Sequence, residues 1–156
     1  MTKFREVSGK ICIITGAARG IGYGCAEALA AEDVHVVLVD VLPEVQEAWN
    51  ALQEKYPENQ GFAMQVDISK EAEVAQMIAK TVEKFGRIDI MYCNAGINGG
   101  EWEVSELRED VIDRVIGINL KGTLFCCKHA ALQMKKQHFG TIVMTGSFYG
   151  KVGHAK

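Results

Sequence analysis

Five short apolar runs, each separated from the next by a stretch with helical spacing, constrain this chain more than any other feature of its sequence. Ile11, Cys12, Ile13 and Ile14 are apolar without interruption, and Val34, Val36, Val37, Leu38 and Val39 repeat the pattern with β-branched residues. Continuous runs of this kind suit strands buried on both faces, as happens when helices cover both sides of a parallel sheet. Between the two runs Ile21, Cys25, Ala28 and Leu29 recur at helical spacing and predict a helix face. The whole unit closes within about 30 residues, as a βαβ motif requires.

The alternation continues. Pro43 stands where a first helical turn accepts it, and Val45, Trp49, Leu52 and Tyr56 mark the face of a second helix. Phe62, Ala63, Met64 and Val66 predict a third strand. Ser69 is placed to cap a third helix, with Glu71 and Glu73 near its positive end and a stripe of Val74, Met77, Ile78, Thr81, Val82 and Phe85. Gly86 is its expected stop. Ile88 to Cys93 reads as a fourth strand, a loop covers residues 94–100, a helical pattern runs from about Glu106 to Gln137, and Thr141 to Thr145 is a fifth strand. Right-handed crossovers with a reversal after the third strand give a doubly wound Rossmann-type sheet in the order 3-2-1-4-5. Periodicity does not fix that reversal, and a flavodoxin-like sheet shows the same alternation.

Composition removes several function classes. With 48% hydrophobic residues, two prolines and no repeat or low-complexity tract, residues 1–156 read as one ordered α/β domain. Seventeen basic against twenty acidic residues leave a net charge of -3 without a basic block, so no nucleic-acid partner is expected. No segment approaches the roughly 20 apolar residues that span a bilayer, and the opening MTKFREVSGK lacks the apolar core of a leader. No membrane is expected. The five cysteines, an odd number without Cys-x-x-Cys spacing, read as reduced buried thiols in a cytoplasmic protein, with no metal site.

Directly after the first strand stands Thr15-Gly16-Ala17-Ala18-Arg19-Gly20-Ile21-Gly22, opening a helix. Glycines let a backbone approach a diphosphate, and free amides at a helix N-terminus favour its charge. The strand before, the helix after and Asp40 at the end of the second strand supply the context that a bare glycine pattern lacks. A carboxylate at Asp40 can accept hydrogen bonds from ribose hydroxyls and repels a 2′-phosphate, which favours NAD over NADP. Arg19 pulls the other way, since a guanidinium in the loop can pair with that phosphate.

With these residues the chain resembles the short-chain dehydrogenase/reductase family, whose signature is Thr-Gly-x-x-x-Gly-x-Gly. The resemblance runs along the whole chain. It implies that Gly16, Arg19, Gly20, Ile21 and Gly22 form the phosphate loop, that Asp67 meets the adenine ring, and that Asn94, Ala95 and Gly96 match the family's Asn-Ala-Gly motif. Asn119 falls at its catalytic Asn and Ser147 at its catalytic Ser, three residues before Gly150. Asn119 also lies between Gly117 and Gly122, a weak helical stretch that predicts a local kink.

The family's proton carrier is a Tyr in a Tyr-x-x-x-Lys helix about a dozen residues beyond the Ser, and this sequence ends before it. Tyr149 does not replace it, because Gly153 stands four residues on and Lys151 only two. The expectation is therefore an incomplete Rossmann domain, lacking the family's later strands and helices. It would be the cofactor half of an NAD(P)-dependent oxidoreductase acting on a secondary alcohol or ketone, inactive alone. Val111, Val115, Leu120, Leu124, Phe125 and Leu132 would lack partners, which favours a homo-oligomer or union with a C-terminal half. The alternative is a non-catalytic dinucleotide-binding or interaction module.

Overall fold

The computed structural model describes residues 6–100 and 103–148; Tyr149, Gly150, Lys151 and Gly153 lie outside the described residues. Strands β1 (Ile11–Thr15), β2 (His35–Asp40), β3 (Phe62–Gln65), β4 (Ile90–Cys93) and β5 (Thr141–Met144) form one parallel sheet in the order β3-β2-β1-β4-β5. The reversal that periodicity leaves open thus falls after β3. Central β1 pairs with β2 on one edge and β4 on the other, and all five of its residues are buried.

The pleat sorts each strand between two cores. Cys12, Ile14, Val36 and Leu38 face helices α1 (Gly20–Ala31) and α2 (Val45–Lys55), where Ala26, Ala30, Val45, Trp49 and Leu52 complete the packing. Ile13, Val37, Val39 and Met91 face the other way, toward α3 (Glu71–Phe85) and α5 (Thr123–Gln137), against Val74, Met77, Ile78, Cys126, Ala130 and Met134. Continuous apolar runs in the sequence are the direct result. No helix among the described residues is long and apolar enough to cross a membrane.

Three local expectations change. Helix α1 buries Gly22, Ala26 and Ala30, whereas of the expected face Ile21, at 67%, and Ala28 are exposed, Cys25 and Leu29 are half-buried, and Leu29 packs on the core. At Gly22 the reason is distance: a Cβ there would lie 2.1 Å from the carbonyl oxygen of Gly16, so this turn of the helix lies against the loop backbone and takes only glycine. Ser69 does not cap α3, whose N-cap is Lys70 without a side-chain bond. Instead its hydroxyl and amide both donate to Asp67 Oδ1, at 2.7 and 3.0 Å. The long helical pattern opens with a 3-10 turn at Val104–Glu106, continues as α4 (Glu109–Val115) and passes through a π-helical turn at Ile116–Gly122 before α5. The weak stretch around Asn119 is therefore a widened turn. Gly86, at φ +74°, ends α3 in the left-handed conformation expected of it.

Candidate functional site

At the carboxyl end of β1 the chain turns through Gly16 at φ +69° and enters α1 at Gly20, φ +60°. A Cβ at Gly20 would meet nothing within 4 Å, so the backbone there faces open space. Helix α1 starts without a side-chain cap and without an acidic residue in its first turn. By contrast α3 carries Glu71 and Glu73 there, and α4 carries Glu109 and Asp110. The positive end of α1 thus carries no anionic side chain of its own first turn.

The glycine loop is fastened to the segment after β4. Thr15 Oγ1 accepts the backbone N–H groups of Asn94 and Ala95, both at 3.1 Å. Asn94 Nδ2 returns two bonds, to the carbonyls of Thr15 at 3.0 Å and Gly16 at 3.3 Å. This junction lies between β1 and β4, where the strand order reverses and where open α/β sheets bind their ligands.

Two carboxylates stand beside it. Asp40 closes β2, its Oδ2 accepting the Ala18 N–H at 3.0 Å and its Oδ1 the Leu42 N–H at 3.1 Å. Asp67 follows β3, with Oδ2 3.6 Å from Lys70 Nζ. Burial alone would raise the Asp67 pKa, yet the Ser69 bonds and the Lys70 charge outweigh it and hold the carboxyl below its ordinary value. Its amide in turn donates to Glu73 Oε2 at 2.7 Å. These groups border a cleft of about 640 Å³, within the usual range for sites of small ligands, about 300–1,000 Å³. Val39, Val66, Ile68 and Ile118 give it apolar walls.

Gly16, Arg19, Asp40, Asp67, Asn94, Ala95 and Gly96 line this cleft. Gly20 and Ile21 form the exposed start of α1, and Gly22 is buried where the helix meets Gly16. Asn119 sits on the π-helical turn, where its Oδ1 accepts the Ile97 N–H at 2.9 Å and its Nδ2 donates to the Ile97 carbonyl at 2.7 Å. That reciprocal pair holds the loop after Gly96 against the helix. Ser147 is exposed, beyond β5 and outside the lining of the cleft. Sequence reasoning overlooks Asp113 and Arg114, which α4 brings to the cleft, and the fastening role of Thr15. Thr15 carries a local signal, a hydroxyl on the last residue of a central strand beside the loop; the α4 pair carries none, because only the tertiary return of the chain puts it there.

The sequence model of the short chain dehydrogenase family matches residues 10–156. Tropinone reductase-like 2 of Erythroxylum coca is 36% identical over 158 residues, covering 97% of this chain and 56% of its own length. Among solved structures, levodione reductase superposes with a TM-score of 0.90 at 33% identity, over 94% of this chain and 57% of that one. NAD+-bound xylitol dehydrogenase gives 0.90 at 31%, over 96% and 57%. The chain thus spans little more than half the length of these relatives. Its sheet order and its glycine loop fall within the shared part, and the chain belongs to the short chain dehydrogenase family.

Proposed function

We propose that residues 1–156 are a single, incomplete dinucleotide-binding domain of an oxidoreductase that moves hydride between a nicotinamide cofactor and a secondary alcohol or its ketone. One observation carries this reading: the uncapped N-terminus of α1, Asp40 and Asp67 stand at the carboxyl ends of three neighbouring strands around one cleft. The open backbone at Gly20 fits a diphosphate, which the first amides of α1 would hold. Asp40 accepts the ribose hydroxyls and Asp67, ionised at neutral pH, meets the adenine end. Asn94, Ala95 and Gly96 form the wall between the glycine loop and Asn119. The nicotinamide, when bound, supplies the site that gives or takes hydride.

Asp40 supports NAD over NADP, because a charged carboxylate at the ribose repels a 2′-phosphate. The relative solved with NAD+ supports the same choice, and relatives named tropinone reductase-like 2 and levodione reductase support a ketone or alcohol substrate. Ser147 would hydrogen-bond that oxygen, and Asn119 would hold the loop beside it. Neither can accept the alcohol proton, and general acid–base help is worth about 10² to 10⁴ in rate. The 156-residue chain should therefore bind cofactor without turnover, as a cytoplasmic protein that completes its site with further chain.

Fluorescence titration of the soluble chain with NADH and NADPH is the test. NADH should bind more tightly, and no tested secondary alcohol should be oxidised above background. Equal affinities, or tighter NADPH binding that disappears in Arg19→Ala, would assign the choice to the arginine. Robust turnover by the 156-residue chain would overturn the reading of its missing proton carrier.

A further inference from the structure

Tyr92 and Thr145 enter none of the roles assigned above, yet the Thr145 hydroxyl lies within hydrogen-bond distance of both the Asn94 side-chain oxygen and the Tyr92 hydroxyl. Thr145 follows β5, held to β4 by its amide, which donates to the Cys93 carbonyl at 3.0 Å. Its Oγ1 lies 3.1 Å from Asn94 Oδ1 and 3.0 Å from the Tyr92 hydroxyl oxygen. On the far side of Tyr92, Cys25 Sγ of α1 is 3.9 Å from the same hydroxyl.

The direction of these bonds follows from valence. The carbonyls of Thr15 and Gly16 only accept, so the Asn94 amide nitrogen must face them and Oδ1 must face Thr145. Oδ1 only accepts, so the single Thr145 hydroxyl proton points at it. The Tyr92 hydroxyl therefore donates to Thr145, and the Cys25 thiol is left as donor to Tyr92. Four groups from α1, β4 and the end of β5 thus form a one-way chain that ends on the glycine-loop carbonyls. Aligned donors of this kind polarise one another in the same sense.

We propose that Tyr92 and Thr145 are positioning residues: their hydroxyl pair fixes the Asn94 carboxamide, and through it ties the glycine loop to the strand that leads to Ser147. Without the Thr145 proton, Asn94 Oδ1 faces a methyl group, the carboxamide is free to rotate, and the two bonds to the loop weaken together. This rests on the cofactor-cleft reading for its effect on binding, but not for its effect on the loop itself.

Thr145→Val keeps the shape and removes the hydroxyl; Thr145→Ser keeps the hydroxyl. Two measurements on the 156-residue chain separate the outcomes. Without cofactor, hydrogen exchange at the Ala17 and Ala18 amides, which donate to Val39 O and Asp40 Oδ2, reads the loop. Exchange should quicken about three- to tenfold in Thr145→Val, less in Tyr92→Phe, and return to the parent rate in Thr145→Ser, as loss of one ordinary hydrogen bond implies. With NADH, the dissociation constant should rise by a similar factor in Thr145→Val and be restored in Thr145→Ser. Parent-like exchange and affinity in Thr145→Val, or failure of Thr145→Ser to restore either, would overturn the proposal. Faster exchange in a chain whose parent form binds no NADH would support the positioning role and remove the cofactor reading instead.

Discussion

Gly16 and Gly20 share a positive φ but not a reason for being glycine. At Gly16 a side chain would fall 2.8 Å from Ala95 Cα, so any substitution strains the fold before it touches a ligand. At Gly20 there is room, and only the backbone conformation resists, at about 1–2 kcal/mol. Gly20→Val should therefore remain folded with a lowered thermal midpoint and lose NADH affinity at least about tenfold, because its side chain stands where a diphosphate would approach; a folded Gly20→Val with parent affinity would remove the phosphate loop from the site. Asp67 gives a second prediction at this scale. Its folded pKa lies below the unfolded value of about 3.9, so its contribution is complete above that value and is lost as pH falls through the folded one. Thermal midpoints should drop from about pH 5 toward pH 3, and drop less steeply in Asp67→Asn; parallel profiles would show that the Ser69 and Lys70 contacts do not stabilise the charge. Both aspartates could be singled out in the sequence by their place, Asp40 closing β2 and Asp67 two residues past the end of β3. Asn59 was not: it is buried, and its side chain bonds to Val34, Val36 and Gly61, a service to three backbone groups that no local pattern announces.

Among the elements, α1 shows how a pattern can be right in period and wrong in face. The larger residues Ile21 and Leu29 suggested the buried side; Leu29 does pack on the core, but Ile21 is exposed, and the fully buried positions are the small ones, Gly22, Ala26 and Ala30. Sequence hydrophobicity records how much a residue gains by burial, not how near the opposing backbone stands. The contrast can be measured with two neighbouring glycines. Gly22→Ala places a Cβ against the Gly16 carbonyl and should cost about 1–3 kcal/mol or more in denaturant unfolding. Gly24→Ala meets nothing within 4 Å and should stabilise by up to about 1 kcal/mol, since alanine is the better helix former. Equal effects would mean that α1 does not sit as close as described. Strand positions were easier to read, because full burial of a parallel strand leaves a run that no helix of the same length would need. The π-helical turn was legible only as a weakness, through Gly117, Asn119 and Gly122; its bonds to Ile97 depend on a loop 22 residues away.

For the whole molecule, the sheet is unevenly covered. Beyond β4 only β5 follows, and its outer edge pairs with no described strand. Of the residues expected to lack partners, Leu120, Leu124 and Leu132 are exposed, Val111 and Val115 are half-buried and Phe125 packs on the core; Val143 and Met144 of β5 are exposed as well. Such an edge and such residues promote association. Sedimentation should show concentration-dependent self-association of the 156-residue chain, and a monomer at high concentration would contradict it. The strand order also has a consequence in time. The Ile11 amide donates to Asp89, 78 residues later, and Cys12 to Ile14 find their second partner only in Ile90 to Tyr92. At synthesis rates of about 5–20 residues per second, roughly 4–16 s separate the two strands at the ribosome. Throughout that interval a nascent chain carries Cys12, Ile13 and Ile14 with one edge open to chaperones and to other nascent chains. The best protected strand of the finished protein is the one that waits longest for its neighbour while the protein is being made.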